Sequence, residues 1–167
     1  ATGNGAVRLD RKGFTPMFGG GLTLGDAVVS IAVERTGAVW AGTYDSGLWR
    51  YQDGRLEHFG QQQGLSSEAV RALVPDRDGV LWIGTAGGGL NWWRDGRFGS
   101  LTARDGLDSN NVGQIITGDD THLWLGTSLG LTRVRREALF SGRFNRSDDA
   151  MFAASVGLRS SQCAPGF

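Results

Sequence analysis

Tryptophan, glycine and threonine recur in this chain at a fixed interval of 42 residues. The series are Trp40, Trp82 and Trp124; Gly42, Gly84 and Gly126; and Thr43, Thr85 and Thr127. Each set sits in one short motif, seen best as Gly79-Val80-Leu81-Trp82-Ile83-Gly84-Thr85, followed by Gly89-Leu90. The other copies are Gly37 to Thr43 with Gly47-Leu48, and Thr121 to Thr127 with Gly130-Leu131. A constant period means that one supersecondary unit is stacked repeatedly, and about 40–45 residues suits a four-stranded propeller blade. The fold class expected is therefore all-β: a β-propeller segment of four-stranded antiparallel blades, about three and a half of them.

The period divides the chain into residues 1–26, the outer strands and crossing of a partial blade; 27–68 and 69–110, two regular repeats; and 111–167. The last holds an insertion around 135–154 and a crossing towards a further blade. Closed propellers have four to eight blades, so about three and a half suggests either a piece of a larger ring or half of an assembly.

Composition supports this reading. Twenty-eight glycines among 167 residues suit short strands and tight turns rather than helices. The formal net charge is zero, which gives no electrostatic case for binding nucleic acid or an anionic membrane. Cys163 is the only cysteine, so no intrachain disulfide can form. No apolar run reaches the 18 or so residues of a membrane span, and the first residues lack the pattern of a signal peptide.

Within the first full repeat the strands expected are Val28 to Val33, innermost, then Val39 to Thr43, Leu48 to Gln52 and Arg55 to Phe59. The second repeat gives Val70 to Val74, Leu81 to Thr85, Leu90 to Arg94 and Arg97 to Leu101. Asp53-Gly54, Asp78-Gly79 and Asp95-Gly96 are read as hairpin turns of one shared chemistry. Residues 5–18 match the outer strands of a blade. Gly21-Leu22, Gly64-Leu65, Gly106-Leu107 and Gly157-Leu158 mark the crossings. In the third repeat Val112 to Thr117, Leu123 to Thr127 and Leu131 to Val134 fit the plan. Arg135 to Phe140 then reads as a helical turn, with a last strand expected near Met151 to Ala154.

The run from Asp76 to Asn91, with its turn acid and glycine, its Leu-Trp-Ile-Gly-Thr core and its Gly-Gly-Leu, resembles two-component regulator propeller repeats. The resemblance extends over nearly the whole chain. Val39 and Ala41 stand where that family prefers leucine and isoleucine, and His122 replaces the apolar residue found at Val80. The resemblance implies a sensor propeller on the outer side of the bacterial inner membrane, hence periplasmic, coupled to a kinase or cyclase module. It also implies a small-molecule or glycan ligand, since some members of the family sense glycan fragments.

Catalytic parts are sparse. His58 and His122 lie at different phases of the repeat, and no nucleophile elbow, zinc motif or cysteine pair occurs. No enzyme activity, cofactor or metal is expected. Asp76-Arg77-Asp78-Gly79 is a piece of a calcium loop without the later glutamate, and a turn explains it better. Trp40, Trp82 and Trp124 are expected to pack between blades. Of Trp92 and Trp93, one is expected in the core and one on the outer rim, because neighbouring strand residues face opposite ways.

Binding is expected in the loops that share one end of the blades, where rigid scaffolds commonly carry it. The candidates are Tyr44, Asp45, Ser67, Glu68, Asp108, Ser109, Asn110, Asn111, Arg159 and Gln162. Ordinary turn chemistry would use the same residue types. Joint replacement of Asp108, Ser109 and Asn110 is expected to leave the fold intact. The leading functional expectation is a non-enzymatic sensory segment without nucleic-acid partners or direct membrane contact, able to self-associate through open blade edges. The alternatives are a protein-interaction or dimerisation scaffold and a propeller lyase fragment.

Overall fold

The computed structural model describes residues 7–10, 13–16, 27–118, 120–141 and 150–152. The expected crossings at Gly21-Leu22 and Gly157-Leu158, and the candidates Arg159 and Gln162, lie outside them. Strands β1 (Val7–Asp10) and β2 (Gly13–Pro16) form an antiparallel pair, as the outer strands of a blade would. Three four-stranded antiparallel sheets follow. The first holds β3 (Val28–Val33), β4 (Val39–Thr43), β5 (Leu48–Gln52) and β6 (Arg55–Phe59) in sequence order. The second holds β7 (Val70–Pro75), β8 (Leu81–Thr85), β9 (Leu90–Arg94) and β10 (Arg97–Leu101). The third holds β11 (Val112–Ile116), β12 (His122–Thr127), β13 (Gly130–Arg135) and β14 (Ala150–Phe152). A single helical turn, α1 (Arg136–Ser141), sits between β13 and β14 where the period breaks.

The first strands of the blades lie together: β7 touches β3 and β4 on one side and β11 on the other. The register slips by one residue at the same phase in all three, between Val28 and Ser30, Val70 and Ala72, and Val112 and Gln114. Such a bulge adds local twist, and its recurrence means the three blades bend alike.

Each blade has two unlike faces. On its forward face the motif tryptophan packs against the next blade. Trp40 clusters with Leu65, Val70 and Leu73, and Trp82 with Leu107, Val112 and Ile115. On the rear face stand the aliphatic residues flanking that tryptophan: Leu81 and Ile83 meet the first blade, Leu123 and Leu125 the second. Alternation along one strand thus fills two interfaces. Trp40 and Trp82 are fully buried, whereas Trp124 is half-buried.

The motif glycines lie under the next blade. A side-chain carbon at Gly42 would overlap Val70, and one at Gly84 would overlap Val112. The motif threonines close the loop at the end of the second strand. Thr43, Thr85 and Thr127 each donate the hydroxyl proton to the carbonyl of Gly47, Gly89 and Gly130, at 2.8, 2.9 and 3.0 Å. These bonds are buried and recur in all three copies.

Two sequence readings need correction. Trp92 and Trp93 are both interface residues. Trp93 faces backwards onto Trp40, Phe59 and Phe98, while Trp92 faces forwards onto Trp82 and Phe140. Blade stacking buries both sides of a strand, so neither is left for an outer rim. The turns also differ in kind. Asp53-Gly54 and Asp95-Gly96 have positive φ at both residues, as a two-residue hairpin loop requires, but at Asp78-Gly79 only the glycine does. There the Asp76 carboxylate closes the loop, its Oδ1 accepting from the amides of Asp78 and Val80 at 2.8 and 2.9 Å.

The Gly-Leu crossings are built by short 3-10 turns, Gln61–Gln63 and Ala103–Asp105. Each ends at a glycine of left-handed conformation, Gly64 or Gly106, and then drops a buried leucine, Leu65 or Leu107, between the blades.

Candidate functional site

The candidate loop residues among those described collect at one end of the blades, but most serve as fasteners there. Ser67 donates to the Ala86 carbonyl at 2.7 Å. Glu68 accepts from the Gly47 amide through its own carbonyl at 2.9 Å. Asp108 accepts from Thr132 at 2.6 Å, and the hydroxyls of Ser109 and Ser128 share a bond of 2.8 Å. Asn110 and Asn111 accept through their side-chain oxygens from the amides of Ala103 and Gly87, at 2.7 and 3.0 Å. The residue after each crossing leucine bonds the third strand of the blade it enters: Ser66 pairs with Asn91 as Asp108 pairs with Thr132. Ser109 is buried. Replacing Asp108, Ser109 and Asn110 together is therefore expected to cost stability, against the sequence reading, because these groups tie a crossing to the blade it enters.

Tyr44 and Asp45 remain open at that end. Tyr44 is 57% exposed and carries the Arg71 guanidinium over its ring at 4.1 Å. Asp45 is exposed and accepts only from Ser46 among the described side chains, at 3.2 Å.

The opposite end holds a cleft of about 880 Å3, at the tips of the inner strands. Its wall comes from all three blades: Val33 and Arg35 from the first, Pro75, Asp76 and Arg77 from the second, and Thr117, Gly118, Asp120 and Arg136 from the third. Its volume falls in the range of small-molecule sites, roughly 300–1,000 Å3. Four donors saturate Asp76. Beyond the two loop amides, its Oδ2 accepts from the Trp82 indole at 2.9 Å and from Arg136 Nη2 at 2.5 Å. Arg136 reaches in from α1, bonds Asp78 at 2.9 Å, and stands 5.7 Å from the centre of the Trp82 ring. The Asp76 carboxylate, in the string that the sequence reading assigned to a turn rather than to calcium, closes that turn and also anchors an indole and a guanidinium.

Arg35 and Arg77 differ from Arg136. They occupy the same phase of successive repeats, 42 residues apart, and both are exposed. Neither has a hydrogen-bond or ion-pair partner among the described residues. Sequence reading missed them, although their spacing was visible, because a charged residue beside a turn reads as solvated surface.

A family model described as two component regulator propeller matches residues 64–87. No curated protein matches the sequence. Among solved structures, the extracellular domain assigned to the hybrid two component system BT3049 of B. thetaiotaomicron shares the fold at a TM-score of 0.69 and 22% identity, over 83% of this chain and 18% of that one. The extracellular domain assigned to the one component system BT4673 of the same organism gives 0.70 and 18%, over 93% of this chain and 25% of that one. A streptogramin B lyase gives 0.67 and 14%, over 96% of this chain and 50% of that one. The chain thus spans a quarter or less of the two extracellular domains. Residues 64–87, which run from the crossing glycine to the loop after β8, match the two component regulator propeller model, and the chain around them is built of propeller blades on the same plan.

Proposed function

We propose that this chain is the ligand-binding propeller part of a bacterial signal-transduction receptor, held on the extracytoplasmic side and without catalysis of its own. The observation that carries this reading is the two component regulator propeller repeat at residues 64–87, in blades shaped like those of extracellular domains assigned to such systems. A propeller suits the task because its rigid blades hold loops at both ends. The lyase likeness concerns fold alone. The two described histidines are not brought together as an acid–base pair: His58 Nε2 contacts the Ser46 carbonyl at 2.9 Å, and His122 Nδ1 the Thr121 hydroxyl at 2.7 Å. Titrating oligosaccharides and peptides against the full-length protein tests the reading. A compound that raises the melting temperature and changes the output activity supports it; chemical conversion of that compound overturns it.

A second reading, self-association, has its own observation. Ile31 on the rear face of the first blade is 41% exposed, while its counterparts Leu73 and Ile115 are 9% and 7% exposed beneath a preceding blade. We read that face as the seat of another blade, and the forward face of a second copy would fit it. Light scattering across a concentration series tests it, and a mass that stays monomeric throughout removes it.

A further inference from the structure

We infer that α1 is a strap that lifts off the second blade while the sheets stay closed, changing the cleft wall and the outer half of a blade interface together. The inference stands apart from the ligand-binding reading, since it concerns only what holds α1. Gly130 follows Gly89 by 41 residues, and by the same count Leu139 stands at the place of Phe98. Phe98 is carried by β10, which pairs with β9 along its whole length, from Arg97 to Leu101. Leu139 fills the matching place in the cluster of Trp82 and Leu101, but from a helix that belongs to no sheet. Of the described backbone groups of α1, the Arg136 amide alone bonds outside the helix, to the Thr121 carbonyl at 2.9 Å. A helix of six residues is far shorter than the roughly 12–15 needed for one to hold by itself. Side chains must therefore hold it, and three do. Arg136 pairs with Asp76 and Asp78, Leu139 enters the interface, and Phe140 lies against the rings of Trp82 and Trp92 at 5.8 and 6.0 Å. Arg136 and Leu139 are the buried residues of α1, and Phe140 is exposed on its outer side. Segments with few buried contacts open at a lower free energy than core strands. Lifting α1 breaks no described strand pairing. It bares the Trp82 ring at the rim and takes Arg136 out of the cleft wall, leaving Asp76 and Asp78 without their cation. A change at either end is then felt at the other, because one element carries both contacts.

Hydrogen exchange of the full-length protein, read by mass spectrometry, is the test. The amides of α1 should exchange through an opening of their own, roughly tenfold or more faster than those of β12 and β13, and at a rate that low urea does not alter. Phe140→Ala should speed exchange in α1 roughly tenfold further, the factor for losing part of a buried aromatic side chain, and leave β12 and β13 as they were. Asp76→Asn, at the cleft end, should speed exchange in α1 severalfold, because Arg136 loses its buried charged partner. Radical footprinting should show oxidation of the Trp82 ring rising with α1 exchange in Phe140→Ala. Should that variant fail to fold, Phe140→Leu carries the same expectation on a smaller scale. Four results would each overturn the strap: exchange of α1 in step with β13 at every urea concentration, equal acceleration of α1, β12 and β13 by the Phe140 variant, no response of α1 to Asp76→Asn, or a Trp82 ring no more oxidised than in the unmodified protein.

Discussion

Val112 rests on Gly84. A side-chain carbon at Gly84 would stand 2.7 Å from the Val112 carbonyl oxygen and 3.1 Å from its Cγ1, so β11 can approach β8 only because that position is bare. The same relation holds between Val70 and Gly42 one repeat earlier. The second glycine of the motif therefore sets the spacing between blades rather than a backbone bend.

Gly84→Ala should lower stability by roughly 1–3 kcal/mol, the usual cost of overpacking a filled interface. The backbone oxygen cannot rotate away, so the blades themselves must part. Urea unfolding measures the loss; a midpoint equal to that of the unmodified protein would show that the blades separate freely.

Trp82→Ala should cost roughly 3–5 kcal/mol, as for other buried aromatics. Trp124→Ala should cost clearly less, since Trp124 is only half-buried. Comparing the two melting temperatures checks the ranking. Equal losses would mean that the forward face of the third blade is covered in solution.

Arg136→Ala breaks an ion pair whose side chains are 9% and 5% exposed, and leaves the Asp76 carboxylate beside the Trp82 indole. Removing one member of a buried pair costs roughly 3–5 kcal/mol, and the lower end is expected because two amides and the indole still donate to Asp76. Asp78→Asn should cost far less, because Asp78 is 67% exposed and exposed pairs contribute about 0–1 kcal/mol. Denaturation of the two variants side by side gives the comparison, and a larger loss for Asp78→Asn would contradict it.

Asn91→Ala should cost roughly 1–3 kcal/mol, because it leaves the Ser66 amide without its acceptor. Hydrogen exchange at the Ser66 amide should rise in step. Unaltered protection there would mean that the crossing holds without this bond.

The strands were legible because both of their signals are local: the period of two along a strand and the 42-residue interval between blades. β4, β5, β6, β8, β9 and β10 run where the sequence reading puts them, and α1 falls where the period breaks. The anchor of Trp82 was not legible. Arg136 lies 60 residues from Asp76 and reaches it only because α1 folds back towards the second blade. Nor could composition tell Ser109 in a fastening from Ser109 in a binding loop, since a hydroxyl serves either use. Glu34 and Asp76 share a phase in the sequence, but only the folded chain shows each of them holding the indole of its own blade's motif tryptophan.

The unlike faces of the blade give the stack a direction, as a column of nested cups has one. Tryptophan meets aliphatic side chains at both interfaces between complete blades. A further blade repeats the contact the chain already makes only when it is added in the same sense, and a repeated heterologous contact of this kind can close into a ring. The spacing at which successive blades stack is set by how closely a valine sits on a glycine.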